Sequence, residues 1–181
     1  MNTYFTADTH FGHGNIIKYC NRPFANAYEM DDALVKNWND TVGPEDTVYH
    51  LGDFSFGPPE SYLPRLNGHI HFVFGNHDKA MRHTRQTTRW NHKVTWLPDL
   101  AEVTVEGQKI VLCHYAMRVW NKSHHGTWHL YGHSHGSLPD DPNACSIDVG
   151  VDVHGYRPIA FDEVSIYMAK KDWKPIDHHG S

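Results

Sequence analysis

Five times along this chain a short apolar run of β-forming residues stops at a tight polar cluster. The runs Thr3–Ala7, Thr47–Leu51, Ile70–Phe74, Lys109–Cys113 and Trp128–Tyr131 end, in turn, at Asp8-Thr9-His10, Gly52-Asp53, Gly75-Asn76-His77-Asp78, His114 and Gly132-His133-Ser134-His135. Runs of this length are strands. Strands of one sheet can bring their C-terminal ends to one edge, and in open α/β sheets that edge is where ligands bind. Residues scattered over most of the chain can therefore converge on one spot.

The remaining pattern fills in an α/β layer. Met30, Ala33, Leu34, Asn37 and Trp38 mark a helical face that Gly43-Pro44 ends. Phe11 to Phe24 reads as a loop, and Pro58-Pro59 opens a short helix carrying Leu63 and Leu66, closed by Asn67-Gly68. Leu100–Val105 and Lys109–Cys113 flank Glu106-Gly107-Gln108 as a hairpin, while Ser146–Val149 and Val164–Met168 read as further strands. Alternating elements followed by a strand-rich second half give one α/β domain over residues 1–181 with two sheets, its last ten residues frayed.

Composition narrows the class. At 181 residues, 39% hydrophobic, the chain can bury a core without staples. A formal charge of -5 argues against a general nucleic-acid coat. Cys20, Cys113 and Cys145 are odd in number and lack C-x-x-C spacing, which fits a reducing cytosol. The N-terminus lacks a basic region followed by an apolar run, and no apolar stretch approaches the ~20 residues of a spanning helix. The expectation is a soluble cytoplasmic protein with no membrane contact. The outlying number is 17 histidines, and histidine is the commonest metal ligand.

Asp8, His10, Asp53, Asn76, His114, His133 and His135 form a coherent donor set. If strand geometry continues, Asp8 and His10 point the same way, as do His133 and His135. If one carboxylate bridges, the seven residues make four contacts to each of two ions. Oxygen and imidazole donors without thiolate suit Mn, Fe, Zn, Co or Ni. Two divalent ions, two carboxylates and one hydroxide leave about +1, which attracts a phosphate ester.

D-x-H, G-D, G-N-H-D, H and G-H-x-H, in this order from about Tyr4 to Val153, resemble the calcineurin-like metallophosphoesterase superfamily. The stretches Asp8 to Asn15 and Tyr131 to Gly136 look like a small, capless bacterial or phage-type member. The resemblance implies a central β-sandwich of two mixed sheets flanked by helices. It also implies a dinuclear centre: one ion on Asp8, His10, Asp53 and His135, the other on Asp53, Asn76, His114 and His133, with Asp53 bridging.

The expected activity is hydrolysis of small phosphodiesters or nucleotides by a metal-bridging hydroxide, with manganese one suitable metal. His77 is the expected general acid, its ring oriented by Asp78. His13, Asn15, Arg22 and Arg118 are candidate substrate contacts, and His154 is a weaker one. Lys79, Arg82, Arg85 and Arg89 read either as a phosphate grip or as a solvated face. Trp120, with Asn121, His124 and His125 nearby, reads either as a nucleotide platform or as packing under a loop, and His50 and His69 read as ordinary strand or surface residues. The competing functions are a non-catalytic scaffold of the same fold and a nuclease on single strands.

Overall fold

The computed structural model describes residues 1–174 and 176. Part of the expected frayed tail lies outside the described residues. The first sheet comprises β1 (Thr3–Thr6), β2 (Thr47–His50), β3 (His69–Phe72), β4 (Val94–Trp96) and β9 (Ile159–Ala160), in the order β4-β3-β2-β1-β9. Its first four strands are parallel, and β9 runs antiparallel to β1. The second sheet comprises β5 (Leu100–Val105), β6 (Gln108–Cys113), β7 (Trp128–Tyr131) and β8 (Ser146–Asp148), in sequence order. There β5 and β6 form the expected hairpin, and β6, β7 and β8 run parallel. Both sheets are mixed, as the sequence led us to expect.

Alternation along the strands builds the layers. Tyr4, Val48, Ile70 and Phe72 pack with Met30, Leu34 and Trp38 of α2 (Ala27–Thr41). Phe5, Leu51 and Val73 instead join Ile110, Leu112 and Leu130 of the second sheet. The first sheet is thus buried on both faces, which parallel strands require. Helix α2 starts at Asn26, whose side chain accepts from Glu29 N at 3.0 Å, an N-cap that satisfies an otherwise orphaned donor.

Three readings change. Val164–Met168 is not a strand but part of α4 (Phe161–Ala169). Phe161, Val164 and Met168 recur at helical spacing and are the buried positions, and Glu163 Oε2 accepts from Ala160 N at 3.2 Å to cap the start. The expected loop Phe11 to Phe24 contains α1 (Gly14–Tyr19), a six-residue helix with one buried side chain, Ile16, too short to show periodicity. The helix expected after Pro58-Pro59 is two 3₁₀ turns, Pro59–Ser61 and Leu63–Arg65. One further helix, α3 (Lys79–Thr84), follows the Gly75–Asp78 cluster. No helix among the described residues is long and apolar enough to cross a membrane.

Candidate metal centre

The five polar clusters meet at the C-terminal edge of the parallel strands. Beyond β1 and β2 the two loops stay zipped: Asp8 N donates to Gly52 O and His10 N to Asp53 O, each at 3.0 Å. The strand geometry itself does not continue, contrary to expectation. Asp8, His10, Asp53, His133 and His135 all take left-handed backbone conformations, with φ between +47° and +67°. Such φ is uncommon for non-glycine residues, costs on the order of 1–3 kcal/mol each and clusters at functional sites. The turned backbone, not the period of two, aims these side chains inward.

Two groups of ligand atoms result. Asp8, His10 and His135 form one; Asp53, His114 and His133 form the other; within each group the atoms lie within 4.8 Å of one another. Asp53 Oδ2 stands between them, 3.7 Å from His10 Nε2 and 3.5 Å from His114 Nε2. Asn76 Oδ1 joins the second group, 3.1 Å from His114 Nε2. Space is tight here: a Cβ on Gly75 would lie 2.2 Å from Asp53 Oδ1.

The residues fit a cation. Asp8 Oδ1 and both ring nitrogens of His10 are buried with no hydrogen-bond partner, a costly state that a metal would relieve at Asp8 Oδ1 and at one His10 nitrogen. His114 Nδ1 lies 2.7 Å from Leu51 O. Donation there directs Nε2 toward Asp53 and Asn76, the outer-shell arrangement typical of metal-binding histidines. His135 Nδ1 likewise faces Asp152 Oδ2 at 2.6 Å.

Electrostatics agree. Burial raises the Asp8 carboxyl from 3.8 to about 7. Burial lowers His10 to about 2, so its imidazole is neutral and available. Burial would also raise Asp53, but His114, the His77 N–H and His10 outweigh it and hold the group at about 2. A raised carboxylate pKa stabilises the fold below its unfolded value and is lost as pH climbs through the folded value. In metal-free protein, wild type should therefore lose stability relative to Asp8→Asn as pH rises from about 4 to about 7. Thermal unfolding of both proteins in chelator measures this, and a difference that stays flat over that range contradicts it. Saturating manganese should reverse the order.

Other expected residues fall in different places. Asp78 does not orient His77: its carboxylate accepts from Asp53 N and Gly75 N at 2.7 Å and Phe54 N at 2.9 Å, holding two loops together. Arg22 is not free to grip substrate. Its guanidinium donates to both Asp152 oxygens at 2.8 Å, to Asp8 O at 2.7 Å and to Thr9 O at 3.1 Å, because the inward-turned loop needs its carbonyls satisfied. His77 is exposed, its ring 5.9 Å from that of His10, and its N–H donates to Asp53 Oδ1 at 2.8 Å. His13 lies at the same rim, 5.5 Å from the His10 ring. Asn15 is exposed on α1, outside both groups. Arg118 lines a surface depression with Trp120, Asp141 and Trp173.

Trp120 is buried and donates to Thr127 O at 2.8 Å, packing rather than forming a platform. Arg82 and Arg85 lie over the Phe74 ring. His154 Nε2 faces Asp148 O at 2.8 Å. His50, read as an ordinary residue, is a fully buried strut between the loops, joining Thr9 Oγ1 at 3.1 Å and Gly52 N at 3.2 Å. Asp152 lies outside the sequence-derived candidates; the strand-then-acid pattern, extended to β8, points to its neighbourhood.

Residues 1–146 match the family model of the calcineurin-like phosphoesterase superfamily domain. The chain belongs to this superfamily. Metal-dependent phosphoester hydrolysis is the general chemistry of calcineurin-like phosphoesterases, and the histidine and aspartate groups above are suited to hold metal. An uncharacterized protein of Methanocaldococcus jannaschii is 37% identical over 169 residues, covering 88% of this chain and 86% of its own. The Gene 66 protein of Mycobacterium phage D29 is 28% identical, covering 90% and 94%. A protein of unknown function from Aquifex aeolicus shares the fold, with a TM-score of 0.67 and 24% identity over 92% of this chain and 98% of its own.

Proposed function

We propose that this calcineurin-like phosphoesterase is a dinuclear phosphodiesterase. The observation that carries this reading is the position of Asp53 Oδ2, within 3.7 Å of a ligand-type nitrogen from each of the two groups. Asp8, His10, Asp53 and His135 would hold one ion, and Asp53, Asn76, His114 and His133 would hold the other. Bound there, two divalent ions supply Lewis acidity to the phosphoryl oxygens and lower the pKa of the attacking water. Manganese, iron, zinc, cobalt and nickel all suit this donor set.

Arg22 supports the preference for diesters. Its charge reaches His10 and His135, yet its donors are spent on Asp152 and on backbone carbonyls. A dianionic monoester gains no guanidinium clamp from it, whereas a singly charged diester needs less. In this reading His77 protonates the leaving oxygen; its backbone bond to Asp53 and its solvent-facing ring beside His10 support the role. The unpaired state of Cys20, Cys113 and Cys145 supports work in the cytoplasm.

Turnover of bis-p-nitrophenyl phosphate against p-nitrophenyl phosphate by manganese-loaded protein tests the reading; a faster monoester reaction defeats the diester assignment. General-acid help is worth about 10²–10⁴-fold. His77→Ala should lose about that factor on alkyl diesters, whose leaving groups are poor, and far less on nitrophenyl esters. Equal losses on both would remove His77 from the acid role.

A further inference from the structure

Each ligand group carries its own exposed aromatic ring. Phe56 is 48% exposed, and its ring stacks on His13 with centroids 3.7 Å apart and planes 14° apart. The same ring lies 5.1 Å from His77 and 5.8 Å from His10. Tyr115 is 47% exposed and stands beside the second group, 5.0 Å from the His114 ring and 4.8 Å from the His133 ring. Its hydroxyl lies 3.4 Å from Asn76 Oδ1. Burying either ring elsewhere would recover hydrophobic free energy, yet the fold leaves both half-exposed beside the ligand groups.

Each ring has partners, Phe56 stacked on His13 and Tyr115 beside Asn76, His114 and His133, and the backbone that carries it is anchored. Phe56 N donates to Phe11 O at 2.9 Å within the zipped loops, and Tyr115 directly follows the buried His114 at the end of β6. Fixed planar rings lose little entropy when a second flat ring stacks on them. Base–aromatic stacking tolerates any base, because every base has a π-face. An alkyl substituent would gain contact area but no stacking.

We propose that Phe56 and Tyr115, one beside each ligand group, are nucleobase-stacking rings, so that the substrate is a nucleotide ester whose base lies on one of them while its phosphate sits at the ligand groups. This rests on the phosphodiesterase reading for the position of the phosphate. It moves the aromatic platform from Trp120, which is buried, to two residues beside the ligands themselves.

Calorimetric titration of AMP against ribose 5-phosphate tests the base: the two share the ribose carbons and the 5′-phosphate, and ribose 5-phosphate carries an anomeric hydroxyl where AMP carries adenine. Wild-type protein should bind AMP more tightly, and the ratio of affinities should fall about tenfold in Phe56→Leu or Tyr115→Leu, the size expected for losing one stacked ring. Tyr115→Phe keeps the ring and should keep the ratio. The comparison is run with and without manganese. Equal affinity for AMP and ribose 5-phosphate in both conditions overturns the stacking, as does a ratio untouched in both leucine variants. Failure of the phosphodiesterase reading looks different: no manganese uptake and no turnover of bis-p-nitrophenyl phosphate, whatever the base preference.

Discussion

Asp53→Asn should keep the fold and lose the paired ions. Asparagine preserves the shape and the Oδ1 that accepts from His77 N, but it removes the negative charge that lies within reach of His10 and His114. A neutral amide oxygen cannot bridge two dications as a carboxylate does, so one ion should be lost and the other weakened. Two-ion clamping supplies several kcal/mol of transition-state stabilisation, so turnover should fall by at least about 10³-fold. Metal content by elemental analysis, bis-p-nitrophenyl phosphate turnover and the thermal unfolding curve together decide the matter. Two ions per chain and near-normal turnover in this variant would end the dinuclear scheme.

The second large effect lies behind the ligands. Asp152 accepts from Arg22 through both oxygens and faces His135 Nδ1, and the Arg22 side chain is fully buried. Its carboxyl is held below the usual range: burial opposes this, but the His135 and Arg22 hydrogen bonds outweigh it. Asp152→Ala should leave the arginine charge buried and unpaired, which costs about 3–5 kcal/mol when one partner of a buried pair is removed. It should also free His135 to rotate, weakening metal affinity about 10–100-fold. Chemical denaturation in chelator reads the first effect and manganese competition against an indicator reads the second. A loss of stability with unchanged metal affinity would make Asp152 a purely structural partner of Arg22.

The candidate ligand set was legible because it is written locally. Asp8, Asp53, Asn76, His114 and His133 each follow a strand, and strand endings are signalled by short-range alternation and by glycine. The superfamily resemblance then joined these pieces in order. The elements missed were those too short to carry a period: α1 with one buried side chain, β4 with three residues and β9 with two. Val164–Met168 is a short apolar run that fits strand or helix equally, and only packing into the core shared by the two sheets decides between them.

What the chain alone determined is which side chains can bind metal and in what order they appear, since donor chemistry belongs to residue type. Which of them come together, and what stands behind and beside them, only the tertiary structure decided. Asp78 binds backbone instead of His77, Arg22 is spent on Asp152, and Phe56 and Tyr115 flank the site. The physical reason is that these relations depend on left-handed turns at Asp8, His10, Asp53, His133 and His135. Local preference disfavours that geometry at such residues, and long-range contacts such as the 2.8 Å bond from His133 N to Asp8 Oδ2 hold it in place.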